Sequence, residues 1–292
     1  MKKHSLLIVG MGDIGRRLAV SHPAMRVVGV ARSVESAASV RAAGATPVSA
    51  DLDRRASLTR LAGLSPWVLH LAPPPTDSDG DPRTRRLIAA LAKRGSLPRR
   101  LVYISTSGVY GNCNGERVFE HRPTAAKTPR AGRRVDAERR LRRFAARNGI
   151  KLSILRAPGI YAADRLPLER IRRQTPAVRS EEDSYTNHIH ADDLANLVWL
   201  ALFRGRNNRV YHAVDDSVKK MGDYFDRVAD HFGLPRPPRI PRAEAQEALS
   251  PALLSFLGES RILDNTRLKT ELRAKLKYPD VETCLKEIRV PS

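Results

Sequence analysis

Residues 5–15 read Ser-Leu-Leu-Ile-Val-Gly-Met-Gly-Asp-Ile-Gly, a short apolar run that passes directly into closely spaced glycines. This order predicts a buried strand, a tight turn and the start of a helix. In the G-x-G-x-x-G spacing, Gly10 permits the turn, Gly12 lets the backbone approach a pyrophosphate, and Gly15 allows the helix to pack close to the strand. The amides at the helix start then face the phosphates, and we interpret Asp13 as the helix cap. The sequence therefore predicts a dinucleotide-binding loop formed by Gly10, Met11, Gly12, Asp13, Ile14 and Gly15.

The chain after this loop alternates strands and helices at short intervals. Apolar runs predict strands at 25–31, 46–49, 67–71 and 101–105, with helical segments between them. This alternation is typical of right-handed βαβ units and predicts an α/β fold with a Rossmann-type, doubly wound parallel sheet. Ligands of such sheets bind at the carboxyl ends of the strands. One crevice is therefore predicted at the strand ends marked by Gly10, Arg32, Asp51, Ala72 and Ser105.

Arg32 follows the second predicted strand and bears on the choice of dinucleotide. An acidic residue near this strand end binds the ribose hydroxyl of NAD, whereas a basic residue accommodates the 2′-phosphate of NADP. Arg32 therefore favours NADP(H) over NAD(H) as the cofactor. The alternative interpretation is a surface arginine in an arginine-rich protein.

The composition excludes several classes of protein. Of the 292 residues, 41% are hydrophobic, which suffices for a core, yet no apolar run reaches the ~18 residues of a membrane-spanning helix. No signal peptide is predicted, and Cys113 and Cys284 are too few for a disulfide framework, so we expect a cytoplasmic location. The net charge of +21 comes mostly from scattered arginines, and aromatic residues make up only 5%. We therefore predict neither a nucleic-acid partner nor a membrane partner.

Six segments in a fixed order carry a resemblance to a known family. Together they resemble the extended short-chain dehydrogenase/reductase superfamily and, within it, the atypical, NAD-dependent epimerase/dehydratase-like group. The resemblance covers essentially the whole chain and implies a Rossmann-type sheet with a smaller, mostly helical C-terminal substrate region. The segments are the glycine loop, Asp51-Leu52, His70-Leu-Ala-Pro73, Tyr103-Ile-Ser-Thr-Ser-Gly-Val-Tyr-Gly111, Leu155-Arg-Ala-Pro-Gly-Ile-Tyr161 and Ile189-His-Ala-Asp-Asp193.

The resemblance also implies roles for single residues. Thr106 falls where the family places its catalytic serine or threonine, directly after Ser105. The alternative is that these hydroxyls only stabilise the turn before Gly108. The positions that match the family's cofactor contacts are Asp51 and Leu52 at the adenine, Leu71, Ala72 and Pro73 under the riboses, and Pro158 beside the nicotinamide.

One departure from the family concerns its catalytic pair. These enzymes carry Tyr-x-x-x-Lys on the next helix, where the lysine lowers the pKa of the tyrosine and the tyrosine passes the proton. Here the two positions fall on Arg130 and Arg134, and no tyrosine occurs between Gly111 and Leu155. Arginine stays protonated at any working pH, so neither residue can do the same acid–base work. Arg134 can still hold the ribose or a phosphate as a cation.

Two functions stay open on this sequence. The first is an NADP(H)-dependent oxidoreductase, epimerase or dehydratase that acts on a small polar substrate such as a nucleotide sugar. Thr106 or Ser105 would then need another proton donor, for which the candidates are Tyr110, Tyr161 and His190. The second is a non-catalytic dinucleotide-binding sensor or regulator.

The expected division of the chain follows the family. Residues 1–157 and 185–213 are expected to form the dinucleotide-binding domain, and residues 158–184 and 214–292 the substrate lid of a monomer or homodimer. The first lid segment contains four arginines, Arg165, Arg170, Arg172 and Arg173. These side chains would suit an anionic substrate; the alternative is that they form a solvated helix face. His188 and His190 share one strand face, but no third ligand has useful spacing, so no metal site is predicted.

Overall fold

Short strands alternate with helices along the chain. The computed structural model describes residues 5–93, 97–249, 253–254 and 257–289. Residues 1–4 of the expected dinucleotide-binding domain and residues 290–292 of the expected lid lie outside the described residues. The strands are β1 (Ser5–Val9), β2 (Arg26–Ala31), β3 (Thr46–Ser49), β4 (Trp67–His70), β5 (Arg100–Thr106), β6 (Arg117–Val118), β7 (Lys151–Ala157), β8 (Gly159–Tyr161), β9 (Ala177–Val178), β10 (Tyr185–Thr186), β11 (His188–His190), β12 (Arg209–His212), β13 (Lys219–Lys220), β14 (Arg239–Ile240) and β15 (Ile262–Leu263). The α-helices are α1 (Asp13–Ser21), α2 (Val34–Ala42), α3 (Pro82–Leu91), α4 (Pro129–Asn148), α5 (Leu168–Arg172), α6 (Ala191–Arg204), α7 (Met221–His231), α8 (Arg242–Ala248), α9 (Thr266–Glu271) and α10 (Val281–Glu287). Helices of the 3-10 type cover Arg55–Leu61, Ser107–Tyr110 and Ala163–Arg165.

The largest sheet joins seven of the described strands in the order β12-β7-β5-β4-β1-β2-β3, and every neighbouring pair is parallel. Strand β1 lies between β4 and β2, with Val9 opposite His70 and Leu7 opposite Val28. The chain winds outward from β1 first to one side and then to the other. This confirms the predicted doubly wound parallel sheet, and it places the expected ligand crevice at the carboxyl end of β1.

Helices cover both faces of the sheet. Ile8 shares a core with Leu194 of α6 on one face, and Val9 shares a core with Leu87 of α3 on the other. Successive residues of a strand point to opposite faces, so a strand covered on both sides needs an unbroken apolar run. The run Leu6 to Val9 meets this need, and each of its residues is fully buried.

A smaller region lies beside the carboxyl ends of β5 and β7. Within the described residues it contains α5, α7, α8 and α10, whereas α9 packs through Leu268 against the core of the large sheet. Four short strand pairs lie outside the large sheet, namely β8–β11, β10–β13, β9–β14 and β6–β15. The main core of the smaller region includes Ile171 of α5, Val228 of α7 and Leu285 of α10. Helices therefore carry most of this region, as the resemblance implied.

Candidate dinucleotide and substrate site

The three loop glycines differ in what surrounds them. Gly10 has a φ of +99°, and a Cβ on it would lie 2.4 Å from the backbone nitrogen of Ala72. A Cβ on Gly15 would lie 3.2 Å from the Gly10 carbonyl oxygen, so α1 packs close to the strand. A Cβ on Gly12 would meet no atom within 4 Å. The space beside Gly12 is therefore open, which fits the approach of a pyrophosphate to the backbone.

A first cavity opens beside the loop, at the carboxyl ends of β1, β2, β3 and β4. Arg32 is exposed at its edge and stands directly after β2, where Ser33 caps α2 through the Ser36 amide. Arg83 also lines the cavity, pairs with Asp53 at 2.6 Å and lowers the pKa of that carboxylate. The predicted cofactor positions in the cavity wall are Gly10, Met11, Gly12, Arg32, Asp51, Leu52, Ala72 and Pro73. The wall thus collects residues from four strand ends and fits the adenosine end of a dinucleotide.

Asp13 does not cap α1, so that interpretation is wrong. The N-cap residue is Gly12, and Asp13 is the first residue of the helix. Its carboxylate instead forms ion pairs with two guanidinium groups, at 2.9 Å with Arg17 and at 2.8 Å with Arg165. Arg165 belongs to the turn after β8, so this pair joins the glycine loop to the smaller region. Ile14 packs against the core next to the sheet and is not part of the cavity wall.

A second cavity continues from the first one between β5, β7 and the start of α4. It shares Pro73 with the first cavity, and its wall includes Ser105, Thr106 and Pro158. The Ser105 hydroxyl oxygen is buried and has no hydrogen-bond partner within the described part of the chain. Leu71 lies behind the wall, packed against the core. An unpaired hydroxyl in this position fits contact with a bound ligand.

The two arginines at the Tyr-x-x-x-Lys positions both line this second cavity. Arg134 donates to the carbonyl oxygen of Ile104 at 2.8 Å and to the hydroxyl of Tyr103 at 3.0 Å. Arg130 is exposed in the first turn of α4 and also lines the next cavity. The structure therefore brings both guanidinium groups into the cavity that also contains Ser105 and Thr106.

A third cavity extends the crevice toward the smaller region. It shares Thr106, Arg130 and Pro158 with the second cavity, and its far wall includes His188, Glu259 and Arg261, with Asn187 and Tyr185 beside them. The Thr106 hydroxyl oxygen accepts the Gly108 amide at 3.2 Å, so it also stabilises the turn after β5. Each cavity shares lining residues with the next, and we call the three together the trough, which extends along the strand ends from the glycine loop to Arg261.

The structure does not bring Tyr110 into this trough. Its hydroxyl accepts from Arg156 at 2.6 Å and lies 2.6 Å from Nε2 of His212, while Arg156 pairs with Glu138 at 2.7 Å. The second ring nitrogen of His212 faces the Asp264 carbonyl oxygen, which places the proton there and lets Tyr110 donate to Nε2. Burial raises the pKa of Tyr110 to about 12. Tyr110 is thus part of a buried network and does not face a substrate.

The two other suggested proton donors lie outside the trough wall as well. Tyr161 is 1% exposed and points its hydroxyl at the Tyr278 carbonyl oxygen. His190 accepts the Asp192 amide and packs against the Tyr278 ring. His188, by contrast, does line the trough, and burial lowers its pKa to about 4. The His188 imidazole that lines the third cavity is therefore neutral at pH 7.

Sequence reasoning did not find the charged groups of the third cavity. Glu259 and Arg261 lie ~150 residues from Thr106 in the sequence, in a segment without a motif, and only the tertiary fold brings them there. The four lid arginines that suited an anion are engaged elsewhere or exposed. Arg165 pairs with Asp13, Arg170 packs over Phe225, Arg173 pairs with Glu169, and Arg172 is exposed.

The described ranges contain neither a metal centre nor a membrane-spanning helix. There, no group of three His, Cys, Asp or Glu side chains is placed to hold a metal ion. None of the helices in those ranges has both the length and the hydropathy to cross a membrane.

The seven-stranded parallel sheet and the glycine loop at its centre define a Rossmann-type α/β protein. The model of the NAD dependent epimerase/dehydratase family matches residues 6–214, and the chain belongs to this family. No protein of curated function matches the sequence.

Several solved structures share the fold over nearly the whole chain. A functionally unknown conserved protein from Silicibacter pomeroyi is 29% identical, with 97% of each chain covered and a TM-score of 0.82. UDP-glucose 4-epimerase from Thermotoga maritima, solved with UDP-glucose, is 20% identical, with 97% of this chain and 96% of that chain covered and a TM-score of 0.76. UDP-glucuronic acid 4-epimerase from Bacillus cereus, solved with NAD, is 18% identical, with the same coverage and a TM-score of 0.75.

Proposed function

We propose that this chain is a cytoplasmic, NADP(H)-dependent oxidoreductase, epimerase or dehydratase that acts on a small polar substrate such as a nucleotide sugar. The trough carries this proposal, because the cavity at Gly12 adjoins, through Pro73, the cavity that contains Ser105 and Thr106. Residues 1–157 and 185–213 would hold the dinucleotide, and residues 158–184 and 214–292 would cover the substrate. One similar structure was solved with UDP-glucose and another with NAD, which supports a nucleotide sugar and a nicotinamide dinucleotide as the two kinds of ligand.

Each part of the trough has a separate task in this proposal. The backbone at Gly10 and Gly12 would hold the pyrophosphate, and Asp51 would hold the adenine. Arg134 would place a permanent positive charge beside the nicotinamide ribose. When bound, the dinucleotide would supply or accept hydride. Thr106 and Ser105 hold the reacting oxygen of the substrate by hydrogen bonds, since a hydroxyl can donate to it in every protonation state of the site.

Arg32→Ala is expected to weaken NADPH binding about 10- to 100-fold and to leave NADH binding unchanged. The reason is the loss of a charge-assisted contact with the 2′-phosphate, which is worth about 1.5–3 kcal/mol. Titration of both dinucleotides by nicotinamide fluorescence measures the effect. Arg41→Ala, an exposed arginine in the last turn of α2, makes the same change in net charge and should alter neither affinity. Equal losses for NADPH and NADH, or tighter binding of NADH by the natural chain, would refute the role of Arg32.

Thr106→Val is expected to lower kcat about 100-fold without weakening NADPH binding. The valine keeps the shape of the side chain but removes the hydroxyl that holds the developing charge on the substrate oxygen. Steady-state rates are to be measured on a substrate found in a panel of nucleotide sugars and small carbonyl compounds. Thr106→Ser restores the hydroxyl and should recover most of the rate, so equal rates for the valine and serine variants would remove Thr106 from the reaction.

The arginines at the Tyr-x-x-x-Lys positions favour a second candidate, a non-catalytic dinucleotide-binding sensor or regulator. Neither Arg130 nor Arg134 can pass a proton at neutral pH. This candidate predicts NADPH binding with no turnover across the same panel. Oxidation of NADPH by any member of the panel, above the rate without protein, would exclude it.

A further inference from the structure

The substrate end of the trough carries a compact group of charges. Arg261 is only 7% exposed, and its guanidinium pairs with Glu259 at 2.9 Å and donates to the Gly111 carbonyl oxygen at 2.7 Å. Its Nε hydrogen is buried and has no acceptor within the described ranges. A buried guanidinium short of one acceptor points to a missing anionic or polar group.

This charged group stands next to the predicted reaction centre. The Thr106 hydroxyl oxygen and the Glu259 Oε2 atom each lie 3.6 Å from the point that a Cβ on Gly108 would occupy, so they flank the same glycine. Arg130 lines both the second and the third cavity, on the wall that also contains Thr106. Partial desolvation lowers the pKa of Arg130. The negative charge of Glu259 raises this pKa, whereas the positive charges of Arg134 and Arg261 lower it further. The four side chains are therefore close enough to interact electrostatically.

The charges that line the third cavity do not cancel. Arg130 and Arg261 are cations, Glu259 balances one of them, and His188 is neutral at pH 7 because burial lowers its pKa to about 4. The described residues that line this cavity therefore carry two positive charges and one negative charge, a net charge of +1. A monoanion would neutralise it, and a planar carboxylate matches the fork of a guanidinium.

We infer that the third cavity binds a carboxylate of the substrate, held by Arg130 and Arg261 close to the carbon that reacts beside Thr106. The inference rests on the proposed function and narrows its substrate to a hydroxy or oxo acid. In this arrangement Arg130 occupies the place of the family's tyrosine and fixes the substrate by charge. Glu259 acts as a positioning residue, because it holds the Arg261 guanidinium.

The test compares oxamate with oxamide, a neutral molecule of nearly the same shape, by calorimetric titration of the full chain with and without NADPH. Oxamate is expected to bind at least 10-fold more tightly than oxamide. Arg130→Gln should weaken oxamate binding about 10- to 100-fold and leave oxamide unchanged, because it removes a charge-assisted contact. Arg130→Lys should retain part of the preference. Arg172→Gln, an exposed arginine of α5 outside the cavity, should have no effect.

Three results would overturn the inference: no preference for oxamate over oxamide, an oxamate affinity that Arg130→Gln leaves unchanged, or inorganic phosphate binding more tightly than oxamate. NADPH fluorescence is measured on the same samples and reports the proposed function separately. If the chain prefers oxamate but does not bind NADPH, the proposed NADP(H) dependence is wrong and the carboxylate site stands. If the chain binds NADPH but does not prefer oxamate over oxamide, only the carboxylate site is wrong.

Discussion

Gly12→Val is expected to abolish dinucleotide binding while the chain stays folded. Gly12 has a φ of −76°, which any residue adopts, and a Cβ there meets no atom within 4 Å, so the fold accepts a side chain. The valine methyl groups would instead fill the space where the pyrophosphate meets the loop. A loss of at least 100-fold in NADPH affinity, about 2.7 kcal/mol, should follow in a fluorescence titration.

Gly10→Ala provides the contrasting variant in the same loop. At Gly10 the φ of +99° strains any other residue, and the new Cβ would lie 2.4 Å from the Ala72 nitrogen. Thermal unfolding should therefore show a large loss of stability for Gly10→Ala and little change for Gly12→Val. A folded Gly12→Val protein with normal NADPH affinity would disprove the role assigned to the loop.

Glu138→Gln is expected to lower the free energy of unfolding by about 3 kcal/mol. Arg156 and Glu138 each have side chains only 5% exposed and are 2.7 Å apart. Burial disfavours the charge on Arg156, but the hydrogen bond and attraction to Glu138 raise its pKa, so the guanidinium stays charged. The glutamine variant would leave that charge buried without its counterion, although Tyr110 still contacts it at 2.6 Å.

Denaturant unfolding of Glu138→Gln, compared with Glu169→Gln, measures this effect. Glu169 also pairs with an arginine, Arg173, at 2.8 Å, but both of these side chains are about 70% exposed. Removing such a surface pair should cost less than about 1 kcal/mol. If the two variants lose the same stability, burial does not set the strength of the Arg156 pair.

The parts of this molecule that sequence predicts well are those that local chain physics decides. The apolar run before Gly10 and the alternation of strands and helices after it predict a parallel sheet. In a parallel sheet the residues that follow the strands, here Arg32, Asp51 and Pro73, lie along one edge regardless of how their side chains are oriented. The sequence could not show that Arg261 and Glu259 line a cavity together with Thr106, because their position depends on the packing of distant segments. It also could not show that Tyr110 turns toward Arg156, since a motif gives the order of residues and not the direction of a side chain.

The pair between Asp13 and Arg165 has a consequence for protein engineering. It joins the predicted dinucleotide loop to the turn after β8, which belongs to the region expected to set specificity. A chimera that receives its lid from another member of the family would lose Arg165 and leave Asp13 with Arg17 as its remaining partner. Exchange of lids to obtain new substrates should therefore carry residues 163–165 of this chain along, or replace Asp13 at the same time.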